Sequence, residues 1–168
     1  MRPLILITND DGVTAKGLRA LDELAMEFGD VVVMAPEYNA SGQSHSITSA
    51  RPLRVRDVKE TEGLSVHCCD GTPVDCVKLA VEYFCPRRPD LVLSGINHGS
   101  NSSINVLYSG TMGAVIEATA LGIDAIGFSL LHHSADADFS AWLPFARQII
   151  GNTLEKGLPQ GVSLNVNI

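Results

Sequence analysis

Four short runs carry apolar residues at successive positions: LILIT (4–8), DVVVMAP (30–36), PDLVLSG (89–95) and DAIGFSL (124–130). A strand with one face in water alternates apolar and polar residues, whereas a strand covered on both faces reads as a continuous apolar run. These runs therefore require a sheet with other elements packed against both sides. The intervening segments supply them. Residues 15–28, AKGLRALDELAMEF, place Leu18, Leu21, Leu24, Ala25 and Phe28 on one helical stripe. Helices are also expected over 73–84, with Pro73 in the first turn and Thr72 as N-cap, and over 111–122, closed by Gly122. A fourth covers 138–157 and is started or interrupted by Pro144. Segments 52–59 and 64–70 alternate as a β-hairpin excursion, and 162–168 reads as a final strand. The expected class is α/β: three layers, with a mostly parallel sheet between helices.

With 168 residues and 45% hydrophobic content, the chain suits one domain over 1–168. It contains no run of about 18 apolar residues that would span a membrane. Its N-terminus enters a strand without the basic start of a signal peptide, so the expected location is cytoplasmic. A net charge of −7 without a basic run argues against a nucleic-acid polymer as ligand. A small anionic substrate fits if a metal or backbone N–H groups supply local positive character. Cys68, Cys69, Cys76 and Cys85 form no CxxC pair and read as reduced, partly buried apolar residues. The last strand pattern runs to Ile168 with no turn after it, which reads as a truncated chain.

In parallel α/β sheets ligands bind beyond the carboxyl ends of the strands. Three polar segments occupy such places. The first strand is followed by Asn9, Asp10, Asp11 and Gly12. The second opens a long loop with Asn39, Ser41, Ser44, His45 and Ser46, and the run at 89–95 leads to Asn97, His98, Gly99 and Asn101. Carboxylates, hydroxyls and amides are hard oxygen donors, suited to Mg²⁺, Mn²⁺ or Ca²⁺. A divalent cation would also relieve the repulsion between Asp10 and Asp11. Capping of the following helix explains one aspartate as well as metal binding does; the convergence of the loops favours the metal.

An anion site is expected at Ser109, Gly110 and Thr111, where small residues open a helix whose first N–H groups lack partners; capping by Ser109 or Thr111 explains the same residues, and the two roles can coexist. Asn9 and Asn101 are placed near the phosphate by their amides, and His45 and His98 are candidates for an acid or a phosphate contact. His67 reads as structural, and His132 and His133 as a surface pair. Gly12 and Gly17 have P-loop spacing, but Leu18 stands where lysine is required, and no GxGxxG follows the first strand.

The blocks ILITNDDG, APEYNASGQSHSIT, GTPVDCVKLA, PDLVLSGINHGSN and YSGTMGAVIEA, in that order, resemble the SurE (survival protein E) family of metal-dependent 5′-nucleotidases. The resemblance implies a Rossmann-like core and one divalent cation, Mg²⁺ or Mn²⁺ with Ca²⁺ as a substitute, held by Asp10, Asp11, Ser41 and Asn97. It implies hydrolysis of nucleoside monophosphates, with 3′-nucleotides and short polyphosphate as further substrates. Asp10 or Asp11 would serve as catalytic base. It also implies a homodimer or homotetramer assembled through a C-terminal extension, which this chain lacks. Asn105 stands where the family often has aspartate, and Tyr38 where it often has a basic residue, which bears on substrate preference. Two other readings are an aspartyl-phosphate-forming phosphatase, disfavoured by the adjacency of the aspartates, and a non-catalytic nucleotide-binding module.

Overall fold

The computed structural model describes residues 1–132, 134 and 137–168. Seven strands form one sheet: β1 (Leu4–Thr8), β2 (Asp30–Pro36), β3 (Val55–Thr61), β4 (Leu64–Cys69), β5 (Leu91–His98), β6 (Ala125–Leu130) and β7 (Leu164–Asn167). Their order is β3-β4-β2-β1-β5-β6-β7, and every pair is parallel except β3 with β4. The α/β class and the hairpin are as expected. β3 is an exposed edge strand bearing Arg56, Asp57, Lys59 and Glu60, charges that discourage pairing with another edge.

The helices are α1 (Lys16–Ala25), α2 (Pro73–Leu79), α3 (Asn105–Tyr108), α4 (Gly110–Ala120) and α5 (Leu143–Lys156). The period-2 geometry of β1 divides the core. Ile5 and Ile7 pack with Leu18, Leu21 and Leu24 of α1 and Ala146 and Ile150 of α5, while Leu4 and Leu6 pack with Val77 of α2 and Val115 of α4. Trp142 and Phe128 add an edge-on aromatic pair to the first cluster, with ring centroids 4.9 Å apart.

Several boundaries differ from expectation for identifiable reasons. α1 ends at Ala25, and the chain turns through 26–29 before β2. α2 begins as expected, with Thr72 and Asp75 forming a reciprocal capping box, but loosens into a π-helical turn over Ala80–Phe84. Pro144 lies in the first turn of α5, so it starts that helix. The segment after residue 96 is more ordered than a loop, because β5 continues through His98 and α3 follows. Cys68, Cys69 and Cys76 are buried free thiols and Cys85 is half-buried. His132 is exposed, and His133 lies outside the described residues.

β1 is central. The chain leaves it toward β2 on one side and returns on the other as β5, so the carboxyl ends of β1 and β5 flank a topological switch point. Ile7, fully buried between these neighbours, is part of the platform. Ile7→Ala is expected to cost about 2–5 kcal/mol of folding stability, read from the shift of the urea denaturation midpoint.

Candidate metal and phosphate site

Beyond the switch point lies a cleft of about 240 Å³ lined by Asp10, Asp11, Ser41, Gly42, Asn97, His98, Ser100, Asn101, Asn105, Tyr108 and Ser109. Larger grooves exist on other faces, one of them among Ile47, Leu53, Lys78 and Tyr83, but it is this cleft that gathers the polar strand ends. Asp10, Asp11, Ser41 and Asn97, from three segments far apart in sequence, meet here.

Asp10 is nearly inaccessible, with 2% of its surface exposed, and its carboxylate accepts a 2.7 Å hydrogen bond from the Thr111 hydroxyl. That contact requires α4 to begin very close to β1. A Cβ placed on Gly110 would lie 2.8 Å from the Asp10 Cβ and 3.2 Å from Pro73 Cγ, so a glycine is required there. Asp11 Oδ2 is buried with no hydrogen-bond partner. Burial, followed by repulsion from Asp10, pushes the Asp11 carboxyl up to about 6, with His98 pulling the other way.

Asn97 reaches the cleft after an irregularity in β5. Ser94 pairs with Gly127 and Asn97 with Ser129, so β5 holds one extra residue in this interval. Gly95 makes this possible: its φ is +139°, and a Cβ there would lie 2.5 Å from the Phe128 carbonyl oxygen. The Asn97 Nδ2 donates to the Gly99 carbonyl at 2.8 Å, so Oδ1 is the oxygen this side chain can offer.

The loop carrying Ser41 is clasped along its length. The Ala40 N–H donates to the Asp10 carbonyl at 2.7 Å, and the Ser44 N–H donates to the Tyr108 carbonyl at 3.1 Å. The Thr48 N–H donates to the Asp75 carboxylate, and the Thr72 hydroxyl donates to the Ser46 carbonyl at 2.7 Å. His45 belongs to this clasp and not to the cleft wall. Its Nε2 lies 3.0 Å from a Glu117 oxygen, and the other oxygen of Glu117 accepts from Lys78 Nζ at 3.1 Å. His45 is thus engaged as a loop anchor and is not among the residues that line the cleft.

Asn9 is likewise engaged within the protein. It is fully buried and its amide bonds Gly12 twice, accepting from the Gly12 N–H at 3.2 Å and donating to the Gly12 carbonyl at 3.0 Å. It closes the turn that presents Asp10 and Asp11. Ser109 caps α4 by accepting from the Met112 N–H at 3.1 Å. The first α4 backbone bond is Gly113 N–H to Ser109 C=O, so the Gly110 and Thr111 N–H groups precede the intrahelical ladder beside the cleft. Asn101 lines the cleft. Ser100 and Tyr108 were not foreseen as cleft residues. Tyr108 directly precedes the Ser-Gly-Thr helix start, and that adjacency was the available signal.

A hard divalent cation fits the residues present. The donor set is two carboxylates, a hydroxyl and an amide oxygen, and one buried carboxylate oxygen has no protein donor. Among the described residues no three His, Cys, Asp or Glu side chains cluster as metal ligands, so a soft thiolate or imidazole site is not offered.

The family model described as Survival protein SurE matches residues 5–168. The chain is 57% identical over 166 residues to the 5′-nucleotidase SurE of Phocaeicola vulgatus, covering 99% of this chain and 65% of that protein. It is 51% identical to the 5′-nucleotidase SurE of Bacteroides thetaiotaomicron, covering 99% of this chain and 64% of the relative. The crystal structure of the Sure protein from Aquifex aeolicus matches with a TM-score of 0.89 at 40% identity, over 99% of this chain and 66% of that one. The chain thus spans about 65% of the length of the curated relatives it matches.

Two predictions follow from the carboxylate geometry. A carboxyl whose folded pKa stands above its unfolded value of about 3.9 contributes stability below that value. The contribution is lost as pH rises through about 6. Asp11→Asn should therefore raise the Tm of the metal-free protein above pH 6 and leave it unchanged near pH 4; an equal shift at both would contradict the assignment. Gly110→Ala should displace Asp10 and weaken Mn²⁺ binding by about tenfold in calorimetry.

Proposed function

We propose that this chain, which belongs to the survival protein SurE family, carries the site of a divalent-metal-dependent phosphomonoesterase that hydrolyses nucleoside 5′-monophosphates to nucleoside and phosphate. The observation that carries this reading is the partnerless buried oxygen of Asp11 beside Asp10, in a cleft otherwise lined by neutral donors and acceptors together with His98. Two adjacent carboxylates so placed disfavour one another unless a cation joins them. The name 5′-nucleotidase carried by relatives that are about half identical supports the choice of substrate.

Asp10, Asp11, Ser41 Oγ and Asn97 Oδ1 would hold the ion, Mg²⁺ or Mn²⁺. When bound, the ion supplies charge neutralisation to the phosphoryl group and a lowered water pKa. The chain's own groups do the rest. Thr111 holds Asp10 in one orientation. One Asp10 oxygen is already engaged by that hydroxyl, so with Asp11 Oδ2 given to the ion it is the second Asp11 oxygen that is offered to the proton of the attacking water. The Gly110 and Thr111 N–H groups and Asn101 Nδ2 would be the donors to the developing phosphate charge, and phosphoryl transfer requires mainly such positioning. The same reading takes the cytoplasm as the compartment and a homodimer or homotetramer as the assembly. Among the described residues no helix is long and apolar enough to cross a membrane.

The test is phosphate release from AMP with Mn²⁺ or Mg²⁺, with and without chelator. The expected result is metal-dependent turnover that chelation abolishes, and a loss of more than about 100-fold in Asp10→Asn, a ligand substitution and so at least as severe as loss of an outer-shell partner. Turnover that survives chelation, or a near-normal Asp10→Asn variant, would overturn the assignment.

A further inference from the structure

Asn101 is only 4% exposed and lines the cleft, yet its Nδ2 is buried without a partner. Its backbone, in contrast, is held on both sides by β7. The Asn101 N–H donates to Asn167 Oδ1 at 2.8 Å, and the Asn101 carbonyl accepts from Asn165 Nδ2 at 2.9 Å. Asn167 Nδ2 in turn donates to Asn165 Oδ1 at 3.0 Å. The amide orientations are mutually determined. A backbone N–H can only donate, so Asn167 presents its oxygen to it; its NH₂ then faces Asn165, whose own NH₂ is left for the Asn101 carbonyl.

Leu164 and Val166 of the same strand pack against the hydrophobic core, so the two asparagines fall on the opposite face by the period of two. Neither lines the cleft. A polar pair on alternate positions of a short edge strand, joined to both polar groups of one residue's backbone, has a positioning geometry: it fixes the peptides on either side of Asn101 and thereby aims the side chain. A buried N–H without a protein acceptor makes a strong, charge-assisted hydrogen bond to an anionic oxygen.

We propose that Asn165 and Asn167 are positioning residues that hold Asn101 so that its Nδ2 donates to an oxygen of the substrate phosphoryl group and of product phosphate. This rests on the phosphomonoesterase reading for its ligand, but the clamp itself is tested by binding. β7 thereby takes part in phosphate recognition although β5 and β6 separate it from β1.

The experiment is calorimetric binding of inorganic phosphate to the Mn²⁺-loaded chain, with Mn²⁺ affinity measured separately. Asn101→Ala and Asn167→Ala should each weaken phosphate by about tenfold, the weight of one hydrogen bond to a charged group. The double variant should be no weaker than Asn101→Ala alone, since the clamp has nothing left to aim. Mn²⁺ affinity should stay at the wild-type value in all three. Asn165→Ala, which removes the other half of the clamp, should behave as Asn167→Ala does and serves if that variant does not fold. Additive losses in the double variant, wild-type phosphate affinity in the β7 variants, or a parallel fall in Mn²⁺ affinity would each overturn the proposal. So would failure of the wild-type chain to bind phosphate. A wild-type chain that binds phosphate in the expected pattern but releases none from AMP sustains the clamp and overturns only the phosphomonoesterase reading.

Discussion

Two carboxylates at the carboxyl end of a strand buried on both faces set the terms for this structure. Asp10 is enclosed, and Asp11 keeps one oxygen shut away from any donor. Burial and repulsion from Asp10 oppose ionisation of Asp11. The molecule answers with one strong local contact, the Thr111 hydroxyl on Asp10, which joins the end of β1 to the start of α4 across 101 positions of sequence. Gly110 permits that approach, and the Ala40 N–H joins the Ser41 loop to the Asp10 carbonyl. The remaining imbalance, an oxygen with no protein donor, is the kind a hard cation corrects. Function and local instability thus have one source.

The sheet order makes this economical in chain length. Because β1 lies between β2 and β5, the segments after all three strands open at the same edge without a long detour. The extra residue in β5 brings Asn97 to the cleft, and the following segment leads through Asn101 to α3 and then to the capped start of α4. The hydrogen bonds of Thr48, Thr72, His45 and Glu117 act at one remove. They hold the Ser41 loop against α2 and α4, so a hydroxyl carried by irregular backbone is presented from a fixed position.

Much of this was legible in the chain itself. Continuous apolar runs identified the buried parallel strands because burial on both faces leaves no polar alternation to preserve. Polar residues immediately after such runs marked the cleft, since strand ends are where an α/β sheet is open. Asn9 and His45 show where the sequence is silent. Both stand near the cleft in sequence, but their polar atoms are engaged within the protein, Asn9 by the turn at Gly12 and His45 by Glu117. A sequence shows which groups can form hydrogen bonds and not which partner the fold has already supplied. Asn165 and Asn167 were passed over for a related reason: their alternation with Leu164 and Val166 reads as an ordinary half-exposed strand, and only the tertiary pairing with Asn101 distinguishes them. Helix boundaries moved where Pro144 and the π-helical turn after Leu79 decided the local geometry.

The central claim is that the Asp10–Asp11 pair is one half of a cation site completed by Ser41 and Asn97. Crystals of the chain soaked in Mn²⁺ and measured at the manganese absorption edge test it most directly. The account predicts a single strong anomalous peak in the cleft, within ligand distance of both carboxylates, Ser41 Oγ and Asn97 Oδ1. A peak elsewhere, or a fully occupied ion that leaves Asp11 uncoordinated, would contradict it.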